Sequence, residues 1–222
     1  MTQPIPSALL QRLEAHERWL QTMKREGQKL AQGNIDLRDF DLSGHTLVTV
    51  DLPGARLDKT VLRDVNLSNS NFRGASFVGA TLDGAWLVET DASQADFSGA
   101  SLHNVRGVSA ELFQANLQRA DLTGSHFYDA SLIGANLENA NLSNVNLRGA
   151  YLYKAQMAHI TLTGALLEEA LLSGATGLES AIAEWIGIGE EHTPQRLEGE
   201  RARHWLLEAA ARPLPPKVKF SF

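Results

Sequence analysis

A five-residue period running without insertion from Ile35 to Ala175 constrains this chain more than any other feature of it. Counting in fives from Leu37 to Leu172, 26 of 28 positions are Leu, Phe or Met, and the exceptions are Ala92 and Gly107. Two residues earlier in each block the chain favours a small side chain, Ala most often, with Ser, Thr or Val at most of the others. A helix repeats its apolar face every 3.6 residues and a half-buried strand every second residue, so a strict five fits neither alone. It fits a short extended side with two inward residues, small then large, followed by a turn. Fixed self-similarity of this kind marks a solenoid, in which each unit buries its apolar face only against its neighbours. Gly at 54, 74, 79, 84, 99, 124, 134, 149, 164 and 174 supplies the turn with a residue that tolerates unusual backbone angles.

Blocks such as Ala115-Asn116-Leu117-Gln118-Arg119 and Ala135-Asn136-Leu137-Glu138-Asn139 resemble the pentapeptide-repeat family, whose motif is Ala-(Asp/Asn)-Leu-x-x. The resemblance covers about 140 of the 222 residues. It implies an all-β fold, a right-handed quadrilateral β-helix with four pentapeptides per coil. Twenty-eight repeats then make about seven coils, a rod roughly 34 Å long at the spacing of adjacent strands. Three segments follow: an N-terminal capping helix over 1–34, the β-helix over 35–176, and a C-terminal α/β cap over 177–222.

The ends read differently from the middle. Ser7 is placed to cap a helix reaching about Glu26, with Leu9, Leu13, His16, Leu20 and Met23 as its apolar stripe. Helices with a His and a Trp-Leu pair also precede the repeats in similar bacterial proteins, so Leu13–Leu20 reads as a cap and His16 as one of its packing residues. Beyond Gly177 the period stops. Trp185–Gly189 and Gln195–Leu197 are expected to pair as a hairpin, and a helix from about Gly199 to Ala211 should bury Ala202, Trp205, Leu206 and Ala209. The alternating tail, with Val218, Phe220 and Phe222 on one side, is suited to adding a strand to the rod or to a partner.

Four outward columns can be read at twenty-residue spacing. Two are ordinary polar surfaces without a basic stripe, which argues against direct nucleic-acid binding. A third carries Val88, Val108 and Tyr128, with Trp86 beside Val88. The fourth carries Phe113, Ile133 and Tyr153, flanked by Tyr151 and Leu171. These two apolar columns form the candidate interaction surface, since contiguous apolar patches are generally covered by something. The cover is either the chain's own C-terminal segment, a second copy in a homodimer, or another protein. Gly107 removes a core side chain, so a local bulge or shallow cavity is expected there. His45, at an inward small-residue position, is expected to pack near the first coil.

No catalytic constellation is present. The chain has no cysteine, which excludes thiol nucleophiles and Cys-based zinc sites. Its seven histidines lack metal-ligand spacing, and it has no nucleophile elbow or phosphate loop. No cofactor is expected. The opening residues lack the basic flank and apolar core of a signal peptide, and no apolar run spans a membrane, so the cytoplasm is the expected compartment. The net charge of -6 falls mainly in the repeat, largely at its own Asp/Asn position. The function these features favour is a non-enzymatic protein–protein interaction module. The alternative implied by the resemblance is a DNA mimic, because some quinolone-resistance members of the family look like B-form DNA and bind DNA gyrase. This chain lacks the loops of those proteins and has a long N-terminal helix they generally lack. An enzyme or metal binder is the least supported reading.

Overall fold

The computed structural model describes residues 2–190 and 193–215. From Ala31 onward the chain winds so that residues twenty apart lie side by side in parallel bridges, as in Ala31↔Asp51, Asp36↔Arg56 and Asp41↔Val61. Most repeats contribute the same bonds. The central residue and the turn residue two places on donate to the next winding, as Leu57 N–H does to Ser76 (2.6 Å) and Lys59 N–H to Val78 (2.9 Å). The residue before the centre donates to the previous winding, and the small residue closes the turn, as Ala115 N–H does to Leu112 (3.0 Å). Central side chains from Leu37 to Leu172 and the alanines two places before them make one continuous core. Where Ser or Thr replaces the small Ala, its hydroxyl donates to a central carbonyl one winding earlier, as Thr60 does to Leu37 (2.7 Å) and Thr90 to Leu67 (2.9 Å). A buried polar group is thereby satisfied, which is why those residues are tolerated inside.

One amide per repeat is left over, that of the residue after the centre. The consensus Asp or Asn exists to bind it. Twelve repeats carry Asp or Asn before the centre, and in eleven its Oδ1 accepts the N–H two residues on. The exception is Asp51, whose counterpart is Pro53 and has no N–H to give. Asp51 instead accepts from Asn71 Nδ2 at 2.7 Å. Five of these eleven acceptors are the aspartates Asp36, Asp41, Asp91, Asp96 and Asp121, and the other six are asparagines.

The turn demands more than its glycines announce. The residue two after the centre has positive φ in every repeat from Asp39 to Gly174, including Asn69 (58°), Lys154 (56°) and the β-branched Thr49 (60°). Glycine is required at some of these for a second reason. A Cβ at Gly84 would run into Asp64 Oδ1 from the winding above, and one at Gly149 into Asp129 Oδ1.

Gly107 forms neither bulge nor cavity. Its rung, Arg106↔His126, is intact and its N–H donates to His126 at 2.7 Å. The space of its missing side chain is taken by the Phe127 ring, one winding on. At the other consensus break, Ala92 is buried and the rung beside it, Asn71↔Asp91, is also intact.

At the N-terminal end, α1 (Ser7–Gln21) buries Leu9, Leu13 and His16. Pro6, not Ser7, is the N-cap, and the helix stops before Glu26. Thr22 Oγ1 binds back to Arg18 O (2.7 Å), and Met23 and Lys24 turn left-handed, which leaves Met23 83% exposed. Gly27 then brings the chain back over the helix so closely that a Cβ would meet the Ala15 carbonyl. Buried His16 accepts from Leu30 N–H at Nδ1 (3.1 Å), so Nε2 carries the proton and donates to Val48 O (3.0 Å). His45 is half-buried, and its Nδ1 lies 3.2 Å from Glu17 Oε1 of α1.

Burial is the main reason the His16 pKa lies below the ordinary 6.5, with Lys29 adding to the shift against the Val48 hydrogen bond and Glu17. The neutral ring is thus preferred in the folded state. Its contribution to stability is fully present above 6.5 and is lost as pH falls through the lowered folded value. Thermal melts from pH 7.5 to 5 are expected to show a falling melting temperature, with the slope reduced in His16→Gln. Equal slopes would show that His16 does not carry the effect.

At the other end the ladder runs past the last consensus repeat, through Gln156↔Thr176 to Thr161↔Ile182 and Leu166↔Gly187. The spacing there grows by one residue, absorbed by a single 3₁₀ turn at Leu178–Ser180 that follows left-handed Gly177. Strand β1 (Trp185–Glu190) pairs antiparallel with β2 (Thr193–Glu198), and α2 (Gly199–Ala211) buries Ala202, Leu206 and Ala209. Gly187 serves both the ladder and the hairpin. Residues 177–190 thus continue the winding that the five-residue period no longer reveals.

Candidate interaction surface

The two apolar columns are set by backbone bonds between windings. On one face, Glu89 N–H to Val108 O (3.0 Å), Ser109 N–H to Tyr128 O (2.9 Å) and Asp129 N–H to Arg148 O (2.9 Å) align Val88, Val108, Tyr128 and Arg148. The column beside it runs Asn66, Trp86, Arg106, His126 and Asn146. Trp86 and Tyr128 are among the most exposed large apolar side chains, and Val88 and Val108 are half-buried. Arg106 lies over the Trp86 indole, with its guanidinium carbon 4.6 Å from the ring centroid. Such cation–π stacking leaves the guanidinium edges available for hydrogen bonds.

On the other face, Gln114 N–H to Ile133 O (2.9 Å) and Gly134 N–H to Tyr153 O (2.8 Å) align Phe113, Ile133 and Tyr153. The bridges Ser131↔Tyr151↔Leu171 set Tyr151 beside Leu171. Ile133, an outward position in the repeat, is buried at 7% exposure. Phe113, Tyr151, Tyr153 and Leu171 are half-buried. Val218, Phe220 and Phe222 lie outside the described residues.

Arg106 and His126 are the members of the first face that sequence reasoning missed. The signal was available: the consensus Asp/Asn is replaced in three successive windings by Trp86, Arg106 and His126. With it goes the acceptor for the amide two residues on, and neither Val88 N–H nor Val108 N–H has a partner among the described residues. Below Tyr128 the column ends in an ion pair. Arg148 reaches buried Glu168 through Nε–Oε2 (2.9 Å) and Nη2–Oε1 (3.2 Å), and together with Asn146, Gly149 and Glu169 these residues line a shallow hollow.

The acidic residues elsewhere are interleaved with cations. Arg38 donates to Asp36, holding its carboxyl down at about 2, and Arg73 lies 3.0 Å from Asp91. His103 bridges Asp83 (3.2 Å) and Asp121 (3.1 Å). Among the described residues no cluster of His, Asp and Glu is arranged to hold a metal ion, and no helix is long and apolar enough to cross a membrane.

Family models for pentapeptide repeats match residues 57–106 and 110–149. Among solved structures, the chain resembles HetL, a pentapeptide repeat protein involved in heterocyst differentiation regulation from the cyanobacterium Nostoc sp. strain PCC 7120. Identity is 26%, over 75% of this chain and 97% of that one, with a TM-score of 0.33. A pentapeptide repeat protein of the Arabidopsis thaliana thylakoid lumen is 33% identical over 38% of this chain and 63% of its own, with a TM-score of 0.35. Full-length QnrB1, a plasmid-mediated fluoroquinolone resistance protein, is 14% identical over 81% and 96%, with a TM-score of 0.39. No curated protein matches the chain. The repeats imply a right-handed quadrilateral β-helix.

Proposed function

This chain is a member of the pentapeptide-repeat family, and on that premise we propose that it works as a non-enzymatic interaction module. In this reading a rod of about seven coils, closed by α1 at one end and by β1, β2 and α2 at the other, presents its Trp86/Val88/Val108/Tyr128 face to a protein partner. One observation carries it. A tryptophan and a tyrosine stand in solvent on one face beside aliphatic neighbours, with a guanidinium stacked on the indole. Trp, Tyr and Arg are the residues that dominate binding energy at protein interfaces.

The test is affinity capture from the native cell extract with the wild type and with a Trp86→Ser/Val108→Ser/Tyr128→Ser triple variant. Proteins held by the wild type and released by the variant, at unchanged melting temperature, are the expected result. An identical captured set would exclude this face as the docking surface. Light scattering on both proteins identifies the case in which the partner is a second copy, since the variant would then lose the dimer mass.

The DNA-mimic reading has less support here. A mimic needs carboxylates free to replace phosphates, whereas Asp41, Asp91, Asp96 and Asp121 accept turn amides and arginines stand among the acids. Gyrase supercoiling is accordingly expected to be unaffected by micromolar protein.

A further inference from the structure

The face that carries Trp86 offers hydrogen-bond donors beside its apolar groups. In eleven repeats the amide after the centre is consumed by an Asp or Asn of its own repeat. On this face Trp86 and Arg106 stand where those acceptors would be. The amides of Val88 and Val108, one winding apart, are left as hydrogen-bond donors turned toward that column. Arg106 adds a planar cation placed over the indole, and it forms no ion pair among the described residues. His126, exposed, follows in the same column. Other arginines on the rod are neutralised, Arg38 by Asp36 and Arg73 by Asp91. Two unbound amides and an unpaired guanidinium beside Val88, Val108 and Tyr128 have a definite complement: a carboxylate next to an apolar side chain.

We propose that this face binds an acidic segment of a protein partner. An Asp or Glu of that partner is seated on the Arg106 guanidinium and the Val88 and Val108 amides, and an adjacent aliphatic or aromatic residue lies on Val88, Val108 and Tyr128. The proposal rests on the docking reading above and adds the chemistry of what docks. Charge-assisted, planar contacts of this kind set orientation and choice of partner. A stacked arginine loses less conformational freedom on binding than a free one.

Selection of random displayed peptides on the full chain tests it without knowledge of the natural partner. The expected outcome is enrichment of Asp or Glu beside an apolar residue. A synthetic peptide of the enriched sequence should bind about tenfold or more weakly to Arg106→Glu, and more weakly as salt is raised. Repeating the selection on Arg106→Glu should enrich Lys or Arg instead. Arg106 is an exposed side chain outside the core, so Arg106→Glu should melt with the wild type. If peptides bind through Trp86 and Val108, as their serine variants would report, but ignore the charge at 106, the acidic partner is wrong while the docking face stands. If binding ignores Trp86 and Val108 as well, both readings fail. Absence of any enriched sequence also overturns the proposal.

Discussion

Gly107→Leu, which writes the consensus residue into the one central position that has glycine, is expected to destabilise the protein by about 3 kcal/mol or more. The corresponding fall in melting temperature is on the order of 10 °C. Conventional repeat logic predicts the opposite sign, because consensus substitutions usually stabilise. The reason is local volume. A Cβ at 107 would already overlap the Phe127 ring, and that ring is fully buried between windings held by coil-to-coil hydrogen bonds. It has nowhere to move. The φ of Gly107 lies outside the positive range that demands glycine, so the effect is one of packing alone. Gly107→Leu combined with Phe127→Leu should recover most of the loss, and Phe127→Leu by itself should open a void and cost about 1–3 kcal/mol. A neutral or stabilising Gly107→Leu would show that the ring can leave its place.

The second large effect is expected at the ion pair below Tyr128. Glu168 is 2% exposed while Arg148 is about a third exposed, so the pair is unevenly screened. Removing the cation leaves a carboxylate buried without its bidentate partner, whereas removing both charges leaves an apolar contact. Arg148→Met is therefore expected to cost about 2–4 kcal/mol, the low end allowing for the solvent that reaches the arginine. Arg148→Met with Glu168→Leu should recover much of that loss. Denaturant melts of the two single variants and the double variant close the cycle. Additive single effects would mean that the two residues are not energetically coupled.

The five-residue period reports which side chains point inward, and this much was legible from Leu37 to Leu172. The hairpin and α2 were also legible, because Trp185–Gly189 and Gly199–Ala211 have ordinary strand and helix patterns. What escaped is what depends on neighbours twenty residues away. Gly107 read alone is a missing side chain, and Phe127 read alone is one more large core residue. Only the rung Arg106↔His126 brings the two into one space. Ile133 sits at an outward position and is nonetheless buried, which no single column of residues reveals. The end of α1 was misjudged because Leu20 and Met23 continue the apolar spacing. The Thr22 hydroxyl and two left-handed residues stop the helix regardless. The Arg106 and His126 positions were passed over because the sequence around Gly107 looked merely irregular. What the sequence did not show is that Arg106 would lie over the Trp86 ring.

The twenty-residue register also limits how such a gene can change length. A single inserted residue within the consensus repeats would break the alternation of small and large core positions; among the described residues the ladder takes up one extra residue at the 3₁₀ turn Leu178–Ser180, near its end. Duplication of one pentapeptide would keep the core but carry everything downstream onto the next face. Placed between Val88 and Arg106, it would separate Trp86 and Val88 from Arg106, Val108 and Tyr128. Only a block of twenty can be gained or lost inside the rod while every surface residue keeps its neighbours. For stability the unit of inheritance is five residues; for a binding face it is four times longer.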